Sequence, residues 1–243
     1  MKPDISRPFA VFDIDGTLIR WQLFHAIVHH LGQQGYILRH HHDAIRAARL
    51  RWKNRETTDG FRAYEKVLVE VYAEVLTHIH PDDHRRIVDE VVSEYKDQTY
   101  VYTRDLVHKL KAEGYLLFAV SGSHEDAVSR VAQHHGFDAW VGASFDEKDG
   151  SFTGDYYSPI FDKKAALQKL VDEYGATFDN SYAVGDSGTD AAMLEIVENP
   201  IAFNPDKGLC EIAKQYNWPI VIERKNVSYR LEYTGNGYSL VDH

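Results

Sequence analysis

Phe9-Ala10-Val11-Phe12-Asp13-Ile14-Asp15-Gly16-Thr17 is the stretch from which the fold can be read. A short apolar, β-prone run ends in two carboxylates and a glycine, the pattern of a buried strand entering a polar loop. The design recurs twice. Residues 116–120 (Leu-Leu-Phe-Ala-Val) lead into Ser121-Gly122-Ser123, and Tyr182-Ala183-Val184 leads into Gly185-Asp186-Ser187-Gly188. Helix-compatible stretches follow the second and third loops, at 125–135 and 191–197, and Pro219-Ile220-Val221-Ile222 reads as a late strand. Strands alternating with helices predict an α/β protein, a Rossmann-like three-layer core with a parallel sheet between helices. In such sheets ligands bind beyond the carboxyl ends of the strands, where these loops gather.

Residues 20–100 break the alternation. Val67, Val71, Val75 and Ile79 recur at four-residue steps, and Ile87, Val91 and Val92 continue an apolar face. That is helical spacing. It predicts a helical cap at 20–100 inserted into a core made of 1–19 and 101–243. Asp149-Gly150 between two short strand-like segments predicts a hairpin. Gly235, Asn236 and Gly237 mark either a loose tail or an edge element.

The 243 residues suffice for one large domain, or a core plus an insertion. A formal net charge of -10 argues against nucleic acid or an anionic membrane as the main partner. A single cysteine, Cys210, cannot form an intramolecular disulfide and fits a reducing compartment. With neither a signal-like apolar core near Met1 nor an apolar run of membrane-spanning length, a cytoplasmic location is expected.

Asp13 and Asp15 are costly to desolvate at the end of a buried strand, so they call for a cation, hydrogen bonds, or both. Gly16 permits a tight turn whose amides can face an anion. Ser121 and the Gly122 amide are possible phosphate donors, although Ser-Gly is also an ordinary turn pair. Lys163 and Lys164 open a helix-like run, where either one can balance phosphate charge or lie on a solvated face. Asp186 and Asp190 supply hard oxygen ligands suited to magnesium, with helix capping as the alternative use for one of them.

In this order the four elements resemble the haloacid dehalogenase-like superfamily of phosphatases. Asp13-Ile14-Asp15-Gly16-Thr17-Leu18 is similar to its first motif, Ser121 to the second, and Val184-Gly185-Asp186-Ser187-Gly188-Thr189-Asp190 to the acidic fourth. Lys164-Ala165-Ala166-Leu167 resembles the third motif, which favours Lys164 over its neighbour. Asp149-Gly150-Ser151-Phe152-Thr153-Gly154, Asn204-Pro205-Asp206 and Asn217-Trp218-Pro219-Ile220 resemble the phosphoserine-phosphatase-like subgroup, family IB.

The resemblance implies a magnesium-dependent phosphomonoester hydrolase. Asp13 would be the nucleophile that forms an aspartyl-phosphate, and Asp15 the acid and base. Magnesium would sit on Asp13, the Asp15 carbonyl and Asp186. Ser121, Gly122 and Lys164 would hold the phosphoryl oxygens, while Asp190 supports the metal's water or orients the lysine. In phosphoserine phosphatases an acidic residue nine positions after the nucleophile meets the substrate's amino group. Gln22 stands there, so a small soluble phosphomonoester other than phosphoserine is expected. Arg51, Arg55 and Arg62 all qualify as the arginine for a substrate carboxylate. Asp15 favours a phosphatase over a dehalogenase. A receiver-type module would lack the long insertion, and the remaining alternatives are a catalytically degenerate binding relative or a phosphoserine phosphatase proper. The insertion's histidines, His25, His29, His30, His40, His41 and His42, have no partner cysteine or fixed carboxylate pattern and are read as exposed helix residues rather than metal ligands.

Overall fold

The computed structural model describes residues 6–58, 60–225 and 227–241. In chain order the elements are β1 (Pro8–Phe12), α1 (Leu23–Gln33), α2 (Arg39–Lys53), α3 (Gly60–Leu76), α4 (Pro81–Tyr95), α5 (Val101–Ala112), β2 (Leu116–His124), α6 (Glu125–His135), β3 (Ala139–Lys148), β4 (Ser151–Tyr157), α7 (Lys163–Tyr174), β5 (Thr177–Gly185), α8 (Ala191–Leu194), β6 (Asn199–Phe203), α9 (Lys207–Tyr216), β7 (Ile220–Arg224), β8 (Val227–Tyr233) and β9 (Tyr238–Val241). They form two compact units. The core unit holds the described residues of Met1–Gln22, Tyr95–Ala143 and Ser158–His243, and the helical unit holds those of Leu23–Glu94 and Ser144–Tyr157.

Strand order in the core unit is β3-β2-β1-β5-β6-β7-β8-β9. The strands from β3 to β7 pair in parallel, and β8 and β9 join the edge antiparallel. This is the doubly wound α/β architecture expected from the alternation. Parallel strands covered on both faces read as continuous apolar runs, and Phe9, Ala10, Val11 and Phe12 of β1 are fully buried. The segment around Gly235 is not a loose tail but the turn between β8 and β9, closed by Thr234 N–H donating to Gly237 O at 2.9 Å.

Helix ends follow local chemistry. Asp162 Oδ1 accepts from Ala165 N–H at 2.9 Å and caps α7, and Asp206 Oδ1 accepts from Leu209 N–H at 2.7 Å and caps α9. Helix α5 has no side-chain cap from its own Tyr100. Glu223 of β7 serves instead, its two carboxylate oxygens accepting from Val101 and Tyr102 N–H at 3.1 and 2.8 Å. A carboxylate there also suits the positive end of the helix dipole.

The helical unit contains α1 to α4 and an antiparallel hairpin made by the second half of β3 and β4. The expected Asp149-Gly150 turn is present, with φ of 51° and 78°. Its partition corrects the sequence expectation, which left the hairpin with the core. The reason is aromatic packing. Phe145 meets Tyr72 edge-on at 5.6 Å, Phe152 meets His84 at 5.5 Å, and Arg85 pairs with Glu147.

The histidines also depart from expectation. His25 and His41 are buried, at 8% and 5% exposure. His25 lies against Tyr64 at 5.3 Å and Phe61 at 5.8 Å. Burial pushes it down from 6.5 to about 4. Between those values the unfolded chain binds the proton that the folded chain refuses, so stability falls as pH drops through this window. About two and a half units at ~1.4 kcal/mol each amounts to about 3 kcal/mol, lost fully below the lower value. The protection factors of α1 amides, with the intrinsic pH dependence of exchange divided out, should therefore fall between pH 6.5 and 4, and His25→Phe should flatten that dependence. Equal acid sensitivity in the variant would assign the effect elsewhere.

Candidate active site

Three adjacent strands deliver polar groups to one place. Asp13 and Asp15 follow β1, Ser121 lies near the end of β2, and Asp186 follows β5. β1 and β5 flank the point where the strand order reverses, at which an open α/β sheet leaves a crevice. The loop after β1 folds back on itself. Gly16 N–H donates to Ile19 O at 3.0 Å, and Leu18 and Ile19 N–H donate to Ile14 O at 3.0 and 2.9 Å. Gly16 has φ +81°, and a Cβ there would stand 2.2 Å from Asp186 Oδ2 and 3.2 Å from Gln22 Nε2. Backbone conformation and close approach both require glycine, and the absent side chain lets Asp186 and Gln22 reach the loop. Gly122 is similarly tight, a Cβ there falling 2.5 Å from Ile160 Cγ2.

A lysine holds the site together, and it is Lys163. Its Nζ donates to Asp13 Oδ1 at 2.7 Å, Asp190 Oδ1 at 2.6 Å and Val120 O at 3.0 Å, which uses all three ammonium donors. Lys164, preferred from the motif resemblance, is exposed. The correction follows from helix register. Asp162 caps α7, and its buried positions are Lys163, Ala166, Leu167, Leu170 and Val171. That 3.6-residue stripe includes Lys163, while Lys164 points about 100° away.

Asp190 is fully buried and fully used. One oxygen holds Lys163, and Oδ2 accepts from Asp186 N–H at 3.0 Å, Ser187 N–H at 2.9 Å and Ser187 Oγ at 3.1 Å. It therefore orients the lysine and the Asp186 loop at once. Gly185 leaves room for it, since a Cβ there would fall 2.4 Å from Asp190 Cβ. Ser121 Oγ donates to Asp15 Oδ2 at 2.8 Å and accepts from Ser123 N–H at 3.1 Å. Its hydrogen is thus committed to Asp15, a pairing that the sequence reading missed.

Burial raises the Asp13 carboxyl to about 7, Lys163 opposing the shift and Asp190 and Asp15 adding to it. Asp186 is pushed well above the usual carboxylate range by burial and by the negative charges of Asp13 and Asp190. Burial alone would lower Lys163, but the carboxylates of Asp13 and Asp190 outweigh it and raise the ammonium above its ordinary value. Asp13, Asp15, Asp186 and Asp190 thus face one ammonium, an excess of negative charge that a low-dielectric site tolerates poorly. Carboxylate oxygens of Asp13, Asp186 and Asp190 lie within 4.8 Å of one another. Since Asp190 is consumed by hydrogen bonds, Asp13 and Asp186 remain as donors. This hard-oxygen pair fits a divalent cation of the magnesium class.

Residues 10–195 match the family model of haloacid dehalogenase-like hydrolases. A probable phosphatase of Mycobacterium tuberculosis is 30% identical over 149 residues, 60% of this chain and 52% of that protein, so the match spans about half of that relative's length. A histidinol-phosphatase of Neisseria meningitidis is 25% identical over 229 residues, 87% of this chain and 97% of that protein. A solved phospho-aspartyl intermediate analogue of phosphoserine phosphatase aligns with a TM-score of 0.62 at 20% identity, covering 91% of this chain and 95% of that one, a likeness of fold. Among the described residues no helix is long and apolar enough to cross a membrane.

The two lysines separate cleanly by stability. Lys163→Met strands Asp13 and Asp190 without their counter-charge and should cost about 3–5 kcal/mol in chelator. Lys164→Met should stay within about 0.5 kcal/mol, as for other exposed sites. Denaturant midpoints check this, and similar losses in both variants would contradict the assignment.

Proposed function

The chain belongs to the haloacid dehalogenase-like hydrolases, and on that premise we propose that it is a magnesium-dependent phosphomonoester hydrolase acting on a small phosphorylated metabolite through an aspartyl-phosphate. The observation that carries the reading is Asp13 itself. It is a buried carboxylate at the end of the central strand, with Oδ1 held by Lys163 and Asp15 two residues on, held by Ser121.

An oxygen of Asp13 attacks phosphorus, and the bond from phosphorus to the ester oxygen breaks. Asp15 gives its proton to the departing oxygen. It then takes a proton from the water that attacks phosphorus and frees Asp13 as inorganic phosphate leaves. Ser121 aims Asp15 by its hydrogen bond. Lys163 and the Gly122 amide stabilise charge on the phosphoryl oxygens, in a chemistry that depends mainly on positioning and electrostatics. Asp13, the Asp15 carbonyl and Asp186 would hold magnesium, which would supply positive charge to offset the repulsion between an anionic nucleophile and an anionic phosphate.

Hydrolysis of an aryl phosphate should need magnesium and stop in chelator. Asp13→Asn should abolish turnover, and Asp15→Asn should lower kcat by about 10²–10⁴-fold. A folded Asp13→Asn protein with ordinary turnover would sink the mechanism, and a wild type inactive on every ester would favour a degenerate binding relative.

Substrate choice turns on Gln22, whose amide lies near Gly16 in the catalytic loop. A neutral amide lacks the charge-assisted strength of a carboxylate toward an ammonium, a deficit of roughly 1.4 kcal/mol or about tenfold. The similarity to a histidinol-phosphatase over nearly all of that protein's length puts histidinol phosphate on the test panel, beside monophosphates without an ammonium. Comparing kcat/KM across a panel should place phosphoserine about tenfold or more below the best ester, and a clear preference for phosphoserine would refute the role given to Gln22.

A further inference from the structure

Helices α2 and α3 form an antiparallel hairpin whose covalent link, residues 54–59, joins only one end. The open end, where α2 begins and α3 finishes, carries His40 and His41 from α2 and Glu74 from α3. One ligand atom from each lies within 4.8 Å of the others. The His40 and His41 rings are 3.9 Å apart between centroids, tilted by 56°. His41 Nε2 stands 3.2 Å from Glu74 Oε2.

The buried member makes this more than a surface coincidence. His41 is only 5% exposed, and among the described residues neither of its ring nitrogens has a hydrogen-bond partner. A buried imidazole with both nitrogens unsatisfied is rare in a folded protein and asks for an explanation. The 3.2 Å approach to Glu74 lacks hydrogen-bond alignment. A short nitrogen–oxygen separation without that alignment is what two lone pairs aimed at a third point produce. Ligand atoms around a tetrahedral ion with bonds of roughly 2.0–2.1 Å sit about 3.3 Å apart.

We infer that His40, His41 and Glu74 form a second metal site, specific for a zinc-class divalent ion, that closes the open end of the α2–α3 hairpin. The donor set decides the class of ion. Two imidazoles and one carboxylate suit zinc, copper or nickel, whereas magnesium prefers oxygen donors such as Asp13 and Asp186. Three protein ligands leave the remaining position to water. The site therefore differs from the catalytic pocket in ion and in ligand chemistry, and it stands whether or not Asp13 is the nucleophile.

The test is an equilibrium titration of the full chain with zinc chloride, in excess magnesium and against a competing chromophoric chelator. One zinc per chain is expected at this site, with a raised melting temperature. Since His40 and Glu74 are exposed, His40→Ala and Glu74→Gln should leave the apo fold intact. Each should weaken zinc binding at least tenfold, and the double variant should abolish the melting shift. His29→Ala, an exposed histidine on α1, should bind like the parent. Cobalt(II) should give a visible absorption band with the parent and lose it in the double variant. Unchanged zinc affinity and melting shift in the double variant, or zinc that excess magnesium fully displaces, would overturn the assignment.

Discussion

Burying charge is the constraint around which the acidic pocket is built. Lys163 is 2% exposed and touches two carboxylates and a carbonyl. Removing it would leave buried anions facing one another, and removing either carboxylate would leave a buried ammonium short of partners. Each group is tolerable only because the others are present. The ion pair therefore acts as a registration device. It couples the end of β1 to the start of α7 and to the loop after β5, which are far apart in sequence but must meet to sub-ångström tolerance for chemistry.

Asp190 extends that coupling into the backbone. By accepting from the amides of Asp186 and Ser187 it shapes the loop that presents Asp186, while its other oxygen holds the lysine. Gly16 and Gly185 are the steric counterparts of this electrostatic frame, since a methyl group at either would collide with an aspartate. Glu223 shows the same economy, one side chain of β7 capping the start of α5. Asp190 and Glu223 each satisfy two elements, so substitution of either disturbs both.

Much of this was legible in the sequence. Apolar runs ending in carboxylates announced the parallel sheet and the acidic loops, because buried strands and buried charge are both unusual enough to stand out. The lysine is the exception, although its signal is present in the sequence. Reading Asp162 as a cap and Ala166, Leu167 and Leu170 as the buried stripe selects Lys163, whereas motif similarity alone was ambiguous by one residue. The pairing of Ser121 with Asp15 spans 106 positions and left no local trace. His25 and His41 read as surface residues in the sequence because polarity is a weak guide where tertiary neighbours such as Phe61 and Tyr64 supply the environment. The hairpin around Asp149 was recognised, but its association with the helices depends on Tyr72 and His84, tertiary contacts that periodicity does not encode.

The pairing of β1 has a consequence for the order in which the protein can be assembled. This strand is central to the sheet, yet its partners come late: Phe9 aligns with Leu116 and Ala10 with Tyr182. A chain emerging from the ribosome can form its local helices early, but the strand bearing Asp13 must wait for β2 until about half of the polypeptide exists, and for β5 on its other edge until most of it does. Contacts of such long sequence separation fold slowly, and unpaired apolar strands invite association in the meantime. The acidic pocket is thus among the last features to mature, and its mutual repulsions arise only when the surrounding structure is already committed. Premature chain termination before residue 182 would leave β1 a permanent edge, a ready template for aggregation rather than a partly active enzyme.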